Sequence, residues 1–197
     1  MVVPNAPICA YNGALVVDTD GKVLCESFLE ISALRLAEPL IKSDLFAKFV
    51  IYTKENGEPA IVDPADFLSR FDEYAKMHHY KMVFVAKSEE DALHGKALAE
   101  SLMPSGYFAA RSWPVGLEIL KKSASKGEAL RFLKAHLGAR LTVAAGDFEN
   151  DAEMLIAADV GYAVDNAVPS VKEAADRITV AAKDAAIAKI IEDLGSE

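Results

Sequence analysis

The densest group of potentially reactive side chains is Gly146-Asp147-Phe148-Glu149-Asn150-Asp151. Asp147 and Asp151 are four residues apart, so at the start of a helix both carboxylates can point toward one place. Hard oxygen donors of that kind suit Mg2+, which takes one or two carboxylates and keeps several waters. Asp and Asn are also favoured in the first turn of a helix, so the spacing by itself leaves capping open. Lys126 is the second candidate. It falls in the first turn of a predicted helix, where the macrodipole disfavours a cation, and an anion such as phosphate would account for it. On spacing alone a solvated surface lysine is the alternative. His78-His79 has no third ligand nearby and reads as a solvated helix end rather than a metal pair.

These residues need elements that hold them. Strand and helix signals alternate from end to end, the pattern of an α/β protein. Leu141 to Ala145 is a short apolar run, as expected of a parallel strand buried on both faces, and Gly146-Asp147 ends it. Ligands of open parallel sheets bind at the carboxyl ends of strands, which is where Asp147 falls. A helix over Asn150–Ala158 and a strand over Val160–Val164 follow. Ser125-Lys126-Gly127-Glu128 has the form of a capping box, with Leu130, Leu133 and Leu137 as the expected buried stripe and Gly138 as the stop. Earlier in the chain, Asp20-Gly21 marks a hairpin between 14–19 and 22–27, and Asn56-Gly57 marks a turn. Pro39 should bend or end a helix over 30–41. Pro64 opens a helix with Phe67, Phe71 and Tyr74 on one face.

Composition narrows the function. The chain has 197 residues, 52% of them hydrophobic, enough for one sizeable core or two small ones. A net charge of -9 argues against nucleic acid and against an anionic membrane surface, since both call for clustered Lys and Arg. No apolar run approaches the roughly 20 residues of a spanning helix, and Met1–Pro7 lacks the form of a signal peptide. Two cysteines, Cys9 and Cys25, fit free thiols in a reducing cytoplasm better than a disulfide scaffold. The expectation is a cytoplasmic protein.

Several segments carry a resemblance to a known family. Leu117-Glu118-Ile119, Ser125-Lys126-Gly127-Glu128-Ala129-Leu130, Gly146-Asp147-Phe148-Glu149-Asn150-Asp151-Ala152-Glu153-Met154-Leu155, Asn166-Ala167 and Ala175-Asp176 resemble, in order and spacing, the C-terminal half of the Cof-type HAD-superfamily phosphatases. The resemblance implies a Mg2+-dependent phosphatase lineage acting on small phosphorylated metabolites such as sugar phosphates. It implies that Lys126 neutralises the phosphoryl group, that Asp147 ligates Mg2+, that Asp151 holds a metal-bound water or acts one layer behind, and that Asn150 lies near the phosphate. Phe148, where a small polar residue is common, and Val164-Asp165, where Met-Gly is common, depart from the pattern without touching the charged residues.

The front of the chain departs more. The family's Asp-x-Asp-Gly-Thr motif, whose first Asp is the nucleophile, is absent. Ala10-Tyr11-Asn12-Gly13-Ala14 could be that motif in ruined form; it matches better the family's later Asn-Gly-Ala strand, which leads into the cap. The resemblance then implies a partial HAD-like core of parallel sheet and helices plus an α/β cap of the C2B type. Residues 1–14 are a core remnant, 15–115 the cap, and 116–197 the C-terminal part of the core. A chain without the nucleophile is expected to be inactive or nearly so by itself, or to be a non-catalytic remnant that binds phosphate, metal or a partner chain. Missing core strands would leave apolar edges open. Either a homodimer through those strands or a rearranged sheet joining residues 7–10 to the later strands is expected.

Overall fold

A computed structural model describes residues 6–55, 57 and 59–195. Met1–Asn5 and Asn56 fall outside that range, and with them most of the stretch read for a leader and half of the Asn56-Gly57 turn. The chain forms two compact units, Met1–Ala124 and Ser125–Glu197. The fold is mixed α/β, as the alternating pattern requires.

Among the described residues the first unit has two sheets. Strands β1 (Ile8–Ala10), β2 (Leu15–Val17) and β3 (Val23–Glu26) form an antiparallel meander. The turn between β2 and β3 carries Asp20-Gly21, with Gly21 at φ 81°, a conformation glycine adopts without steric cost. The larger sheet contains β4 (Phe46–Thr53), β5 (Pro59–Val62), β6 (His79–Ala86), β7 (Tyr107–Trp113) and β8 (Gly116–Lys121). Its order is β5-β4-β6-β8-β7, antiparallel throughout. Side chains alternate across a strand, so Phe49, Ile51, Met82, Phe84, Leu117 and Ile119 all lie on one face. They form one core with Leu34, Leu40 and Phe67 from the helices. Each such side chain contributes about 1.5–3 kcal/mol by leaving water.

The α-helices among the described residues of this unit are α1 (Ile31–Leu34), α2 (Ala37–Lys42), α3 (Pro64–Ser69), α4 (Phe71–Tyr74) and α5 (Glu89–Leu102). Pro64 opens α3 behind Asp63, whose carboxylate accepts from the amides of Ala65 and Asp66. Ser88 caps α5 by accepting from the Asp91 amide. Two single helices expected from the sequence are each broken. The first stops at Leu34, ahead of Pro39, which is tolerated because it lies in the first turn of α2. The second breaks at Arg70, at φ -113° and ψ 25°, yet Phe67 still meets Phe71 and Tyr74 ring to ring.

Three further expectations are corrected. The strand 116–121 lies between β6 and β7 in the large sheet, so the first unit runs to Ala124 rather than to residue 115. Among the described residues, 7–10 do not join the later strands: Ile8–Ala10 pairs with Val17–Leu15 at the edge of a separate three-stranded sheet. His79 is not a solvated helix end but a fully buried residue at the start of β6, its Nε2 2.7 Å from the Tyr74 carbonyl; His78 is exposed and pairs with Glu55.

The second unit is built on three parallel strands, β9 (Val143–Gly146), β10 (Val160–Val164) and β11 (Arg177–Thr179), in the order β11-β10-β9. Helices α6 (Lys126–Leu137), α7 (Ala152–Ala157), α8 (Pro169–Ala174) and α9 (Ala186–Leu194) accompany them. Ala144, Leu155, Ala163, Val164, Ala167, Val171 and Ala186 form the buried core. Gly161 lets β10 approach α7 closely, since a Cβ there would stand 2.7 Å from the Leu155 carbonyl oxygen. The expected leucine stripe of α6 is corrected in part: Leu130 packs on the core, but Leu137 is 58% exposed, and Gly127 and Ala129 are the buried positions. Gly138 ends α6 at φ 60°, as expected of a helix stop. Among the described residues β9 pairs with β10 alone, and no helix is long and apolar enough to cross a membrane.

Candidate functional site

The carboxyl end of β9 delivers Gly146 and Asp147, and a 3-10 turn over Glu149–Asp151 leads into α7. The turn folds Asp151 back beneath the strand end. Its side chain is buried, and both oxygens are engaged. Oδ1 accepts from Lys126 Nζ at 2.5 Å. Oδ2 accepts from the backbone amides of Asp147 at 3.1 Å and Phe148 at 3.3 Å. Gly146 makes the folding-back possible, because a Cβ there would come within 2.4 Å of the Asp151 Cβ. Lys126 is the first residue of α6, behind Ser125, whose Oγ accepts from the Glu128 amide at 3.2 Å. Ser125 thus caps the helix as its sequence form requires. The other half of a capping box is not what Glu128 does; its carboxylate pairs with Arg131 at 2.6 Å. Gly127 sits against α7, where a Cβ would lie 3.0 Å from the Glu153 carbonyl oxygen.

The carboxyl group of Asp147 is held above its usual range, first by partial desolvation and then by the negative charge and hydrogen bonding of Asp151, with Lys126 opposing. Two neighbouring carboxylates with one ammonium nearby lack positive charge. The structure therefore brings Lys126, Asp147 and Asp151 together, and Asn150 belongs to the same turn. The sequence singled out Lys126 but did not reveal that Asp151 holds it, nor that Gly146 is needed for clearance; a Gly-Asp pair followed at i+4 by a second Asp is the signal for the latter.

No group of three or more His, Cys, Asp or Glu side chains placed to hold a metal ion occurs among the described residues. Asp147 is exposed and offers hard oxygen donors, while Asp151 is turned toward Lys126 and the backbone. One or two carboxylates completed by water is the usual protein share of a Mg2+ shell, and a cation would relieve the charge crowding that raises Asp147. The residues fit such an ion.

One Asp-x-Asp-Gly does occur, Asp18-Thr19-Asp20-Gly21, continuing with Lys22. It forms the hairpin turn between β2 and β3. Asp18 accepts from its neighbour's amide, Thr19 N, at 2.7 Å, and Asp20 accepts from Lys22 N at 3.0 Å. These carboxylates stabilise a turn between antiparallel strands.

A family model of haloacid dehalogenase-like hydrolases matches residues 2–191. The chain belongs to that family. Within it, its relatives are the Cof-type HAD phosphatases. A Haemophilus influenzae protein provisionally named a phosphatase is 27% identical over 208 residues, covering 96% of this chain and 76% of its own length. Among solved structures, a haloacid dehalogenase-like hydrolase from B. subtilis superposes with a TM-score of 0.78 at 20% identity, over 95% of this chain and 79% of that one. A sugar phosphatase of HAD subclass IIB superposes at 0.74 and 22% identity, over 93% and 74%. At those identities the structural likeness speaks for the HAD fold.

Proposed function

We propose that this HAD-like hydrolase carries the Mg2+- and phosphate-binding part of a phosphatase for small phosphorylated metabolites such as sugar phosphates, and that by itself it turns such esters over at or near background. The observation that carries this reading is the constellation of Lys126, Asp151 and Asp147 at the carboxyl end of β9. Asp147 holds the ion. Asp151, its oxygens taken up inside the chain, orients the Lys126 ammonium and fixes the backbone that presents Asp147. Lys126 meets a phosphoryl oxygen, and Asn150 donates to another. When bound, Mg2+ supplies positive charge that offsets the phosphoryl oxygens. Transfer to an aspartate requires a nucleophile at the phosphorus, and the Asp-x-Asp-Gly-Thr that would supply it is absent from the 197 residues.

The alternative is a non-catalytic protein using the same site to bind phosphate or metal. Asp18 and Asp20 favour it, because their turn consumes the one aspartate pair with nucleophile-like spacing. The experiment is hydrolysis of an aryl phosphate and a sugar-phosphate panel with Mg2+, using Asp147→Ala as control. Rates equal to the control are expected. Turnover that vanishes in the control would uphold the site and overturn the claim of inactivity.

A second copy is the proposed partner. β9 is apolar, carries no lysine or proline to blunt its edge, and pairs on one side alone among the described residues. A dimer mass in light scattering at micromolar protein is expected, and a monomer at all concentrations would refute it. Free Cys9 and Cys25 support a reducing, cytoplasmic setting.

A further inference from the structure

Two segments that mark the family, Asn12-Gly13-Ala14 and Leu117-Glu118-Ile119, have no part in the site just described, yet they meet in the first unit. The Asn12 side-chain amide donates to Glu118 Oε2. Glu118 Oε1 accepts from Lys81 Nζ at 2.8 Å. Glu118, on β8, is 2% exposed, and the side chain of Lys81, on β6, is 12% exposed. The charge pair is thus withdrawn from solvent on one face of the large sheet.

The turn it touches has an unusual backbone. Tyr11, Asn12 and Gly13 stand at φ 52°, 59° and 100°. Gly13 adopts this freely and Asn12 tolerates it, but Tyr11 is a bulky residue in a region that disfavours it. Such a backbone persists only where surrounding contacts over-determine it. Here those contacts are specific. The Tyr11 ring stacks on Tyr80 at 4.5 Å and meets the Tyr52 edge at 5.5 Å. Lys81 Nζ lies 4.8 Å from the centre of the Tyr52 ring. Tyr80 is itself held by its hydroxyl, which donates to Glu26 at 2.6 Å.

We infer that Glu118 and Lys81 form a charged latch that holds the Tyr11–Gly13 turn in its left-handed conformation and so sets the path of the chain from β1 into β2. Lys81 holds Glu118 in place. Glu118 in turn holds Asn12, and the rings of Tyr52 and Tyr80 hold Tyr11. Released from the latch, the turn relaxes toward ordinary negative φ.

The test is amide hydrogen exchange at Ala14, whose N–H donates to the Tyr11 carbonyl at 3.3 Å. In Glu118→Gln, which keeps the shape and removes the charge, Ala14 should exchange at least about tenfold faster while the amides of Phe49 and Phe84 keep the parent rate. Adding Asn12→Gly should return Ala14 toward the parent rate, because glycine takes the left-handed conformation without help. An unchanged Ala14, an equal acceleration at Phe49 and Phe84, or no restoration by Asn12→Gly would each overturn the latch.

Discussion

At the scale of single residues, Asp147 and Asp151 look alike in sequence and differ in task. Asp147 is exposed as a residue, yet partial withdrawal of its carboxyl from water and its neighbour's charge raise its proton affinity. Removing its charge should relieve repulsion, so Asp147→Asn is expected to leave the melting temperature unchanged or raise it, while Mg2+ affinity falls at least about tenfold. Asp151 is the reverse case. Its carboxylate compensates a lysine and two backbone amides, so Asp151→Ala is expected to cost about 2–3 kcal/mol in denaturant unfolding through the donors it leaves unmatched. A lowered melting temperature in Asp147→Asn would mean that the two carboxylates are not in repulsive contact. Gly146→Ala would collide with Asp151 and is expected to cost about 1–3 kcal/mol. The spacing of these residues was legible in the sequence, because chain connectivity alone places i and i+4 near each other on a turn. The division of labour was not, because it depends on Lys126, which reaches Asp151 from 25 residues away.

At the scale of elements, local chemistry was readable and tertiary choice was not. Ser125, Ser88, Pro64 and Gly138 act where their types require, since caps and stops are decided within a few residues. Ser125→Ala should therefore cost about 1 kcal/mol and fray the turn that carries Lys126, measurable by unfolding and by exchange at Glu128 N. The leucines of α6 misled, because the helix buries its small residues where α7 comes close, and shape rather than hydrophobicity decided the contact. His79 misled because a strand start at 79 cannot be separated from a helix end at 78 by periodicity. Its burial has a consequence in pH. Burial lowers its proton affinity in the folded chain, and Nδ1 has no partner among the described residues. The unfolded chain therefore takes up this proton first, below its ordinary value of 6.5. The contribution is complete above that pH and declines as pH falls from it toward the folded value. His79→Phe is expected to flatten this part of the stability–pH curve, and a curve of unchanged slope would contradict the assignment. Asp159 acts in a lower window. Lys134 and Thr142 hold its carboxyl down at about 2, so its contribution is lost as pH falls from about 4 toward that value.

At the scale of the whole molecule, the family was legible because several motifs kept their order and spacing, and the match across residues 2–191 bears that out. The extent of the first unit was less so. β8 belongs by sequence pattern to either neighbour, and only its pairing with β6 and β7 places it in the larger sheet. The same pairing brings Glu118 beneath Asn12, 106 residues away, a meeting no local pattern announces. What the molecule offers chemically follows from where these elements end: one strand terminus presenting a carboxylate, a lysine fixed beside it, and an aspartate pair elsewhere committed to a hairpin. Under the proposed function, such a chain binds the substrate's charged group without completing its chemistry. The most direct measurement is calorimetric titration of inorganic phosphate into the full chain in the presence and absence of Mg2+, repeated with Lys126→Met and Asp147→Ala. Saturable, Mg2+-dependent binding that both substitutions weaken at least about tenfold is expected. Phosphate binding of equal strength in parent and variants, or none in the parent, would contradict the site.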